Sequence, residues 1–576
     1  MRFLTHLIAC VVLFVALAAV TEVRADEPVS EPSDVLLVFG TITNSQGSPV
    51  KEAEFEFFVD GRKIEVEEQP TTSAEGIYEA EIALPRGTLP GGRVEVKVRR
   101  PSYAATDMIT LDNVVREQVD GTGNHVYVAH FSTTLARALT PAFWIAAAVL
   151  LGVYVFIAFD LLHRTLAALV GASLILFISY TLGAFDPSYR IISFEDAMGA
   201  IDQNVIFLLM AMMIIVGVTR RTGVFQWMAY KSFQIARGNI FMLTTLLMVV
   251  TAVVSALLDN VTTMLLLIPV TIEICVALKL NPVVMLVPEV FASNVGGTAT
   301  LIGDPPNIMV GSYAGLSFMD FVQHLALVCL IGLAASTVYY LLWFRSSYMA
   351  ARVDDVPAMI ERLRQEYRIK DPRLLIKCGI VLAITIFLFV VHGALGMEPS
   401  VAAMAGAAIL LVISKVYIVD MVEKEVEWPT LIFFMMLFIV VGGAEETGII
   451  QIIAEWVREM SGGSLEIAII MILWVSAIFS AIIDNIPFTA TMLPVVAYLT
   501  GTIPGAENGV LWWALALGAC LGGNGTIIGA SANVVTVGMA EKAGYPITFM
   551  EYFRMAFVPM LITVAIANVW LLLVMK

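Results

Sequence analysis

Asp259 and Asp484 each sit beside an asparagine inside an otherwise apolar run, in SALLDNVTTMLLLIPV (255–270) and SAIIDNIPFTATMLPV (480–495). A carboxylate at bilayer depth costs at least ~2.5 to 3.5 kcal/mol, so something must compensate it. Two readings stand. In one, each Asp accepts a proton or helps hold a cation such as Na⁺, with Asn260 and Thr262 in the first segment and Asn485 and Thr489 in the second. In the other, each carboxylate caps the N-terminus of a half-helix through charge and hydrogen bonding. Capping and ion binding can coexist. The candidate Na⁺ ligands are Asp259, Asn260, Asp484 and Asn485.

A second pair of segments, SNVGGTATLIGDPPN (293–307) and LGGNGTIIGASAN (521–533), is too rich in glycine and polar residues for lipid-facing helix. Irregular backbone at membrane depth survives only where protein or water satisfies its amides. Asn294, Thr298, Thr300 and Asn307 in the first, and Asn524, Thr526 and Asn533 in the second, offer side-chain oxygens to an ion or substrate. Gly296, Gly297, Gly522, Gly523 and Gly525 let backbone approach closely, either to a ligand or to a neighbouring helix. Asp304 stands apart because the matching position is Ala530. It is either a unique proton site or the cap of the helix restarting at the two prolines. Glu273 and Glu289 lack acidic matches and receive no role. Across Ile240–Leu278, and across Ser464–Phe553 apart from Lys542, there is no Lys or Arg. An anion would therefore rest on helix N-termini, amides and a co-bound cation rather than on a fixed basic residue.

These segments belong to a chain of 576 residues, 59% hydrophobic and 14% charged, with a mean hydropathy of +0.85. That composition excludes a soluble enzyme. From position 141 onward, apolar runs long enough to span a bilayer recur. Self-comparison aligns Gly217 with Gly442, Asp259-Asn260 with Asp484-Asn485 and Pro269-Val270 with Pro494-Val495, all at an offset of 225. At 226, Gly296-Gly297, Thr300, Ile302-Gly303 and Asn307 meet Gly522-Gly523, Thr526, Ile528-Gly529 and Asn533. The membrane part is thus a duplication, with copies over 141–345 and 376–576. Arg220-Arg221 in one copy stands where the other has Glu445-Glu446, which favours opposite orientations under the positive-inside rule. Each copy reads as three spans, a re-entrant helical hairpin and two further spans. Five crossings are odd, so the second copy is predicted to be inverted. Inverted repeats with broken helices place ion sites near the midplane of secondary transporters.

Before these copies, residues 1–25 read as a signal peptide, with Arg2 ahead of an apolar stretch and Val23-Arg24-Ala25 before Asp26. An uncleaved anchor helix is the alternative. Within 26–140, from Val35 to about Phe131, the hydrophobic period becomes two, as in Val94-Glu95-Val96-Lys97-Val98, with turn signals at Asp60-Gly61 and Pro90-Gly91-Gly92. This predicts a small extracytoplasmic β-sandwich domain. It carries 19 acidic against 10 basic residues, which argues against nucleic acid as a partner. The linker 346–375 is predicted cytoplasmic, since 345–377 holds eight Lys or Arg against five acids. The scattered cysteines and histidines lack metal-ligand spacing.

The strings around both Asp-Asn pairs and both glycine-rich breaks resemble the ion transporter superfamily, in the branch containing the P protein, arsenite permeases and NhaD-type sodium/proton antiporters. The resemblance implies an elevator-type fold, usually a homodimer, with no cofactor and with Na⁺ or H⁺ as the coupling ion. In dicarboxylate-carrying relatives the hairpin tips read Ser-Asn-Thr. The aspartates standing here would repel a dicarboxylate. The sequence thus predicts an all-α polytopic membrane protein after its β domain, a secondary active transporter of a small inorganic ion in a plasma or inner membrane. A sodium/proton antiporter proper and a channel-like anion conductance are the alternatives, and an enzyme is not expected.

Overall fold

The computed structural model describes residues 33–44, 47, 49–50, 53–64, 71–73, 76–85, 93–100, 103–111, 115–119, 125–159, 161–351 and 356–574. The expected signal peptide and the Pro90-Gly91-Gly92 turn lie outside them. The chain divides into two compact units, one ending at Ala138 and the other starting at Leu139.

In the first unit the described strands are β1 (Ser33–Asn44), β2 (Glu54–Val59), β3 (Arg62–Ile64), β4 (Ile77–Pro85), β5 (Val94–Arg99), β6 (Ile109–Thr110), β7 (Val115–Val119) and β8 (His125–Leu135). They form two sheets, ordered β4-β1-β8-β7 and β3-β2-β5-β6. The period-two pattern is realised: Phe55, Phe57 and Val59 of β2, and Val94, Val96 and Val98 of β5, are buried while their neighbours face outward. Asp60 and Gly61 both adopt positive φ, 48° and 76°, the backbone that a two-residue hairpin between β2 and β3 requires. Residues of both sheets share one core, in which the Phe55 and Tyr78 rings lie 3.6 Å apart.

Helices of ten or more residues in the second unit are α1 (Pro141–Ala158), α2 (Arg164–Tyr180), α3 (Gln203–Arg220), α4 (Val224–Ala236), α5 (Ile240–Ser255), α6 (Asn260–Ala277), α7 (Val283–Thr298), α8 (Pro305–Ala314) and α9 (Phe318–Trp343). After α10 (Val356–Glu366) the order returns as α11 (Pro372–Val391), α12 (Pro399–Ser414), α13 (Trp428–Glu446), α14 (Ile449–Ser461), α15 (Leu465–Ile482), α16 (Asn485–Thr502), α17 (Val510–Gly522), α18 (Ser531–Lys542) and α19 (Phe549–Val574). The starts of α3 to α6 recur in α13 to α16 at 225 residues and that of α8 in α18 at 226, which are the offsets read from the sequence. Among the described residues, nine helices are long and apolar enough to cross a membrane, and α5, α7, α12 and the stretch 510–525 are shorter apolar helices.

Two details differ from the expectation. Between the third span of each half and its hairpin lies an added 13-residue helix, α4 or α14, too short to span. The linker is partly helical, because Val356–Glu366 alternates apolar and charged residues at helical spacing.

Contacts between the halves are reciprocal: α6 packs on α18 as α16 packs on α8, and α3 packs on α12 as α13 packs on α2. Within each half the helix before the break packs tightly on the first hairpin helix. A Cβ built on Gly296 would meet the Ala252 carbonyl oxygen of α5 at 2.2 Å, and one on Gly522 would meet Ala477 of α15 at 2.4 Å. These two glycines therefore serve helix packing. Small residues at such crossings let backbones approach where lipid supplies no hydrophobic drive between helices. Gly296→Ala is expected to destabilise the protein by about 1–3 kcal/mol through overpacking, lowering the thermal midpoint in detergent. Gly332→Ala, whose Cβ would sit 3.4 Å from Thr563, should leave it unchanged. Equal midpoints for both variants would contradict the close crossing.

Candidate ion-binding site

Both hairpin elbows are helix starts. Asp259 is the N-cap of α6, its Oδ1 accepting from the Thr262 N–H at 2.8 Å. Asp484 is the N-cap of α16, its Oδ1 accepting from the Ile486 N–H at 3.0 Å. The capping reading is realised at both, and each carboxylate keeps further lone pairs. Asp304 behaves differently. It stands at the N-cap position of α8, yet its side chain makes no capping bond, and it is 1% exposed. Its two oxygens instead accept from Nδ2 of Asn485, in the other half, at 3.4 and 3.5 Å.

The breaks are held by amides. Asn307 Nδ2 donates to the carbonyls of Thr298 (3.0 Å) and Thr300 (2.8 Å), and Asn533 Nδ2 donates to those of Gly523 and Thr526, both at 2.8 Å. Thr300 and Thr526 hydroxyls donate to Ala256 and Ala481 carbonyls, each at 2.5 Å, stitching each break to its hairpin. A chain of amides then joins the halves: Asn260 Nδ2 donates to Asn294 Oδ1 at 3.1 Å, and Asn294 Nδ2 donates to Asn524 Oδ1 and Asn533 Oδ1 at 3.0 Å. Nδ2 of Asn524 is buried without a partner. Thr298 and Thr489 donate to helix carbonyls one turn back, those of Asn294 and Asn485. Gly297 lies against the Gly303 carbonyl and Gly523 against that of Gly529, while Gly525 faces Met560 and Ala481.

A small cavity of about 30 Å³ lies where these elements meet. That volume suffices for a water or an unhydrated cation. Asp259, Asn260, Asp304 and Asn485 line it, so residues of both halves share one space. The N-terminal ends of α6, α8, α16 and α18 all reach it, through Val261, Pro305, Ile486 and Ser531. Those ends carry partial positive charge, which offsets part of the cost of the carboxylates. Thr262 stands half-buried one turn into α6, outside this lining. Asn294, Thr298, Asn307, Asn524 and Asn533 form the layer behind it.

The cavity also contains a guanidinium that the expectation of no fixed basic residue did not include. Arg164, the first residue of α2, sends Nη1 to Asp484 Oδ2 at 3.4 Å and to Ser531 Oγ at 2.5 Å, and Nη2 to Thr430 Oγ1 at 3.2 Å. Ser531 in turn donates to Asp484 Oδ2 at 3.0 Å. Glu427, before α13, lines the cavity and accepts from Thr430 at 3.1 Å. Tyr154 of α1 donates to the Pro487 carbonyl at 2.7 Å and pairs with Thr491, holding the second elbow from outside. Arg164 lies 320 residues from Asp484 and reads as an ordinary charge at the end of a span, so nothing local marked it. Ser531 lay within a quoted break, and the match of Ala530-Ser531 to Asp304-Pro305 was its available signal. Among the described residues no cluster of three or more His, Cys, Asp or Glu could hold a metal ion.

Residues 154–518 match the model of the CitMHS family, described as citrate transporter. The chain belongs to that family. An uncharacterized transporter of Mycobacterium bovis is 44% identical over 429 residues, covering 74% of this chain and 97% of the relative. The 46 kDa membrane protein of Mycobacterium leprae is 43% identical at the same coverage of each chain. The human P protein is 34% identical over 503 residues, with 74% of this chain and 59% of the P protein covered. Among solved structures, the YdaH transporter of Alcanivorax borkumensis matches with 15% identity and a TM-score of 0.48 over 71% of this chain and 98% of that one. The resemblance carried by the hairpin and break strings thus holds, and this CitMHS-family chain is a membrane transporter of the same family as the P protein.

Arg164→Gln leaves Asp484 with one fewer donor in a largely buried setting. A loss of about 1–3 kcal/mol is expected, below the ~3–5 of a fully buried broken pair because Arg164 is partly exposed. Arg164→Gln with Asp484→Asn should recover part of it. Strictly additive losses in thermal unfolding would show that the two side chains do not interact.

Proposed function

We propose that this CitMHS-family transporter is a secondary active ion transporter that moves a small ion coupled to Na⁺ or H⁺ by an elevator mechanism. One observation carries the reading: the elbow asparagines of both hairpins and the uncapped Asp304 line a single cavity at four converging helix N-termini among the described residues. Paired elbows on one site give a carrier a reason to move both hairpins together as one body. Asp259 and Asp304 supply charge for a cation or protons, with Asn260 and Asn485 as neutral ligands, while Asp484 lies outside the cavity lining and is paired with Arg164. The reciprocal packing of the halves and the exchange of Arg220-Arg221 for Glu445-Glu446 support inverted repeats. The same bias supports an extracytoplasmic β domain and a cytoplasmic 345–377 segment, and the family resemblance supports a homodimer.

A second reading, transport of a carboxylate such as citrate, is favoured by Arg164. A guanidinium beside helix N-termini is a carboxylate receptor. In this reading the acids that face it are protonated or share a co-bound cation when the anion enters. A channel-like anion conductance on the same fold differs from both in lacking uphill transport.

Purified protein in liposomes, tested with Na⁺, Li⁺, Cl⁻, arsenite and citrate under imposed pH and sodium gradients, distinguishes these readings. Uphill flux of one species, lost in Asp259→Asn and in Asp304→Asn while thermal unfolding stays cooperative, is the expected outcome. Flux that no gradient drives uphill would establish a conductance, and wild-type coupling in both variants would remove the carboxylates from the mechanism.

A further inference from the structure

A second polar site lies away from the elbows, where the linker helix meets α4. A cavity of about 490 Å³ is lined by Trp227, Tyr230 and Lys231 of α4 and by Glu361, Arg364 and Arg368 of the α10 segment. An adjoining cavity of about 980 Å³ shares Lys231 and adds Arg237, with Ile235, Pro357 and Ile360 as apolar wall. The only acid lining either cavity, among the described residues, is Glu361, which is engaged by Arg364 at 3.4 Å and by Gln365 at 3.3 Å. Lys231, Arg237 and Arg368 therefore leave a surplus of positive charge. Lys231 is held in place: its Nζ donates to Gln234 at 2.7 Å and lies 5.5 Å from the Trp227 and Tyr230 ring centres.

We propose that this site binds the phosphate headgroup of an anionic lipid, whose acyl chain lies along Ile235 and Ile360. Three features fit a lipid phosphate: clustered Lys and Arg, the half-buried Trp227 of a type common at membrane interfaces, and apolar surface beside the charge. Ile235 is 54% exposed, available for an acyl chain. The linker is also where the positive-inside bias is strongest, and anionic lipids enrich the leaflet that such segments face. The site is joined to the first hairpin. Arg362 lies 3.4 Å from Glu273 of α6, the Tyr367 hydroxyl donates to the same carboxylate, and the Lys370 N–H donates to the Thr222 carbonyl at 2.9 Å. Glu273, which the sequence left without a role, anchors the wall of this site to the helix that carries Asp259.

The test uses full-length protein in a neutral detergent, with the thermal midpoint followed as phosphatidylglycerol, phosphatidylcholine or inorganic phosphate is added. The expected result is a saturable rise with phosphatidylglycerol alone. In a Lys231→Gln/Arg364→Gln/Arg368→Gln variant the half-saturating concentration should rise at least roughly tenfold, while Lys542→Gln keeps the wild-type response. Should the triple variant fail to fold, Lys231→Gln alone carries the comparison. An equal rise with phosphatidylcholine, or an unchanged response in the variants, overturns the proposal. An equal rise with inorganic phosphate assigns the site to a soluble anion and overturns the lipid source.

Discussion

The membrane unit is organised by the need to satisfy polar groups where water is scarce. An intact helix consumes its own backbone amides and offers nothing to a carboxylate. Breaking it frees several N–H groups at the new start, and a carboxylate placed there gains hydrogen bonds and a favourable dipole. Asp259 and Asp484 occupy such starts. The breaks themselves survive because Asn307 and Asn533 reach back to the freed carbonyls, and because Thr300 and Thr526 tie them to the hairpins. Break and asparagine thus depend on one another, since removing Asn307 or Asn533 leaves the break carbonyls without these donors in a nonpolar surround.

Duplication repeats the backbone without repeating the chemistry. The two elbows match in conformation, but Asp484 has Arg164 and Ser531 as partners. Asp304, with no acidic counterpart, points its carboxyl at Asn485 across the halves. The cavity therefore has an acid-rich side and a side neutralised by arginine.

Much of this was legible in the sequence because it depends on local chemistry. Asp-Asn inside apolar helix marks a hairpin elbow, and glycine with asparagine at a fixed offset marks a break, so Asp259, Asn260, Asp304 and Asn485, which line the cavity, are visible from sequence spacing. The added helices α4 and α14 were missed since their 13 residues merge into neighbouring apolar runs. Tyr154 was missed because an aromatic residue on an apolar helix carries no mark of the carbonyl it will meet. Arg164 and Glu427 were missed for a different reason: a charge at the mouth of a span is ordinary, and only tertiary packing turns these two inward. A glycine's role depends on neighbours that the sequence does not show, and Gly296 and Gly522 sit at helix crossings.

Under the proposed function, elements from both halves form one ion site. This is tested most directly by comparing gradient-driven uptake in liposomes by Asn260→Ala, Asn485→Ala and the double variant. Sharing one site predicts that the double variant loses no more than the worse single variant, since either change already disables the same event. Losses that multiply independently would mean two separate sites and would contradict the account.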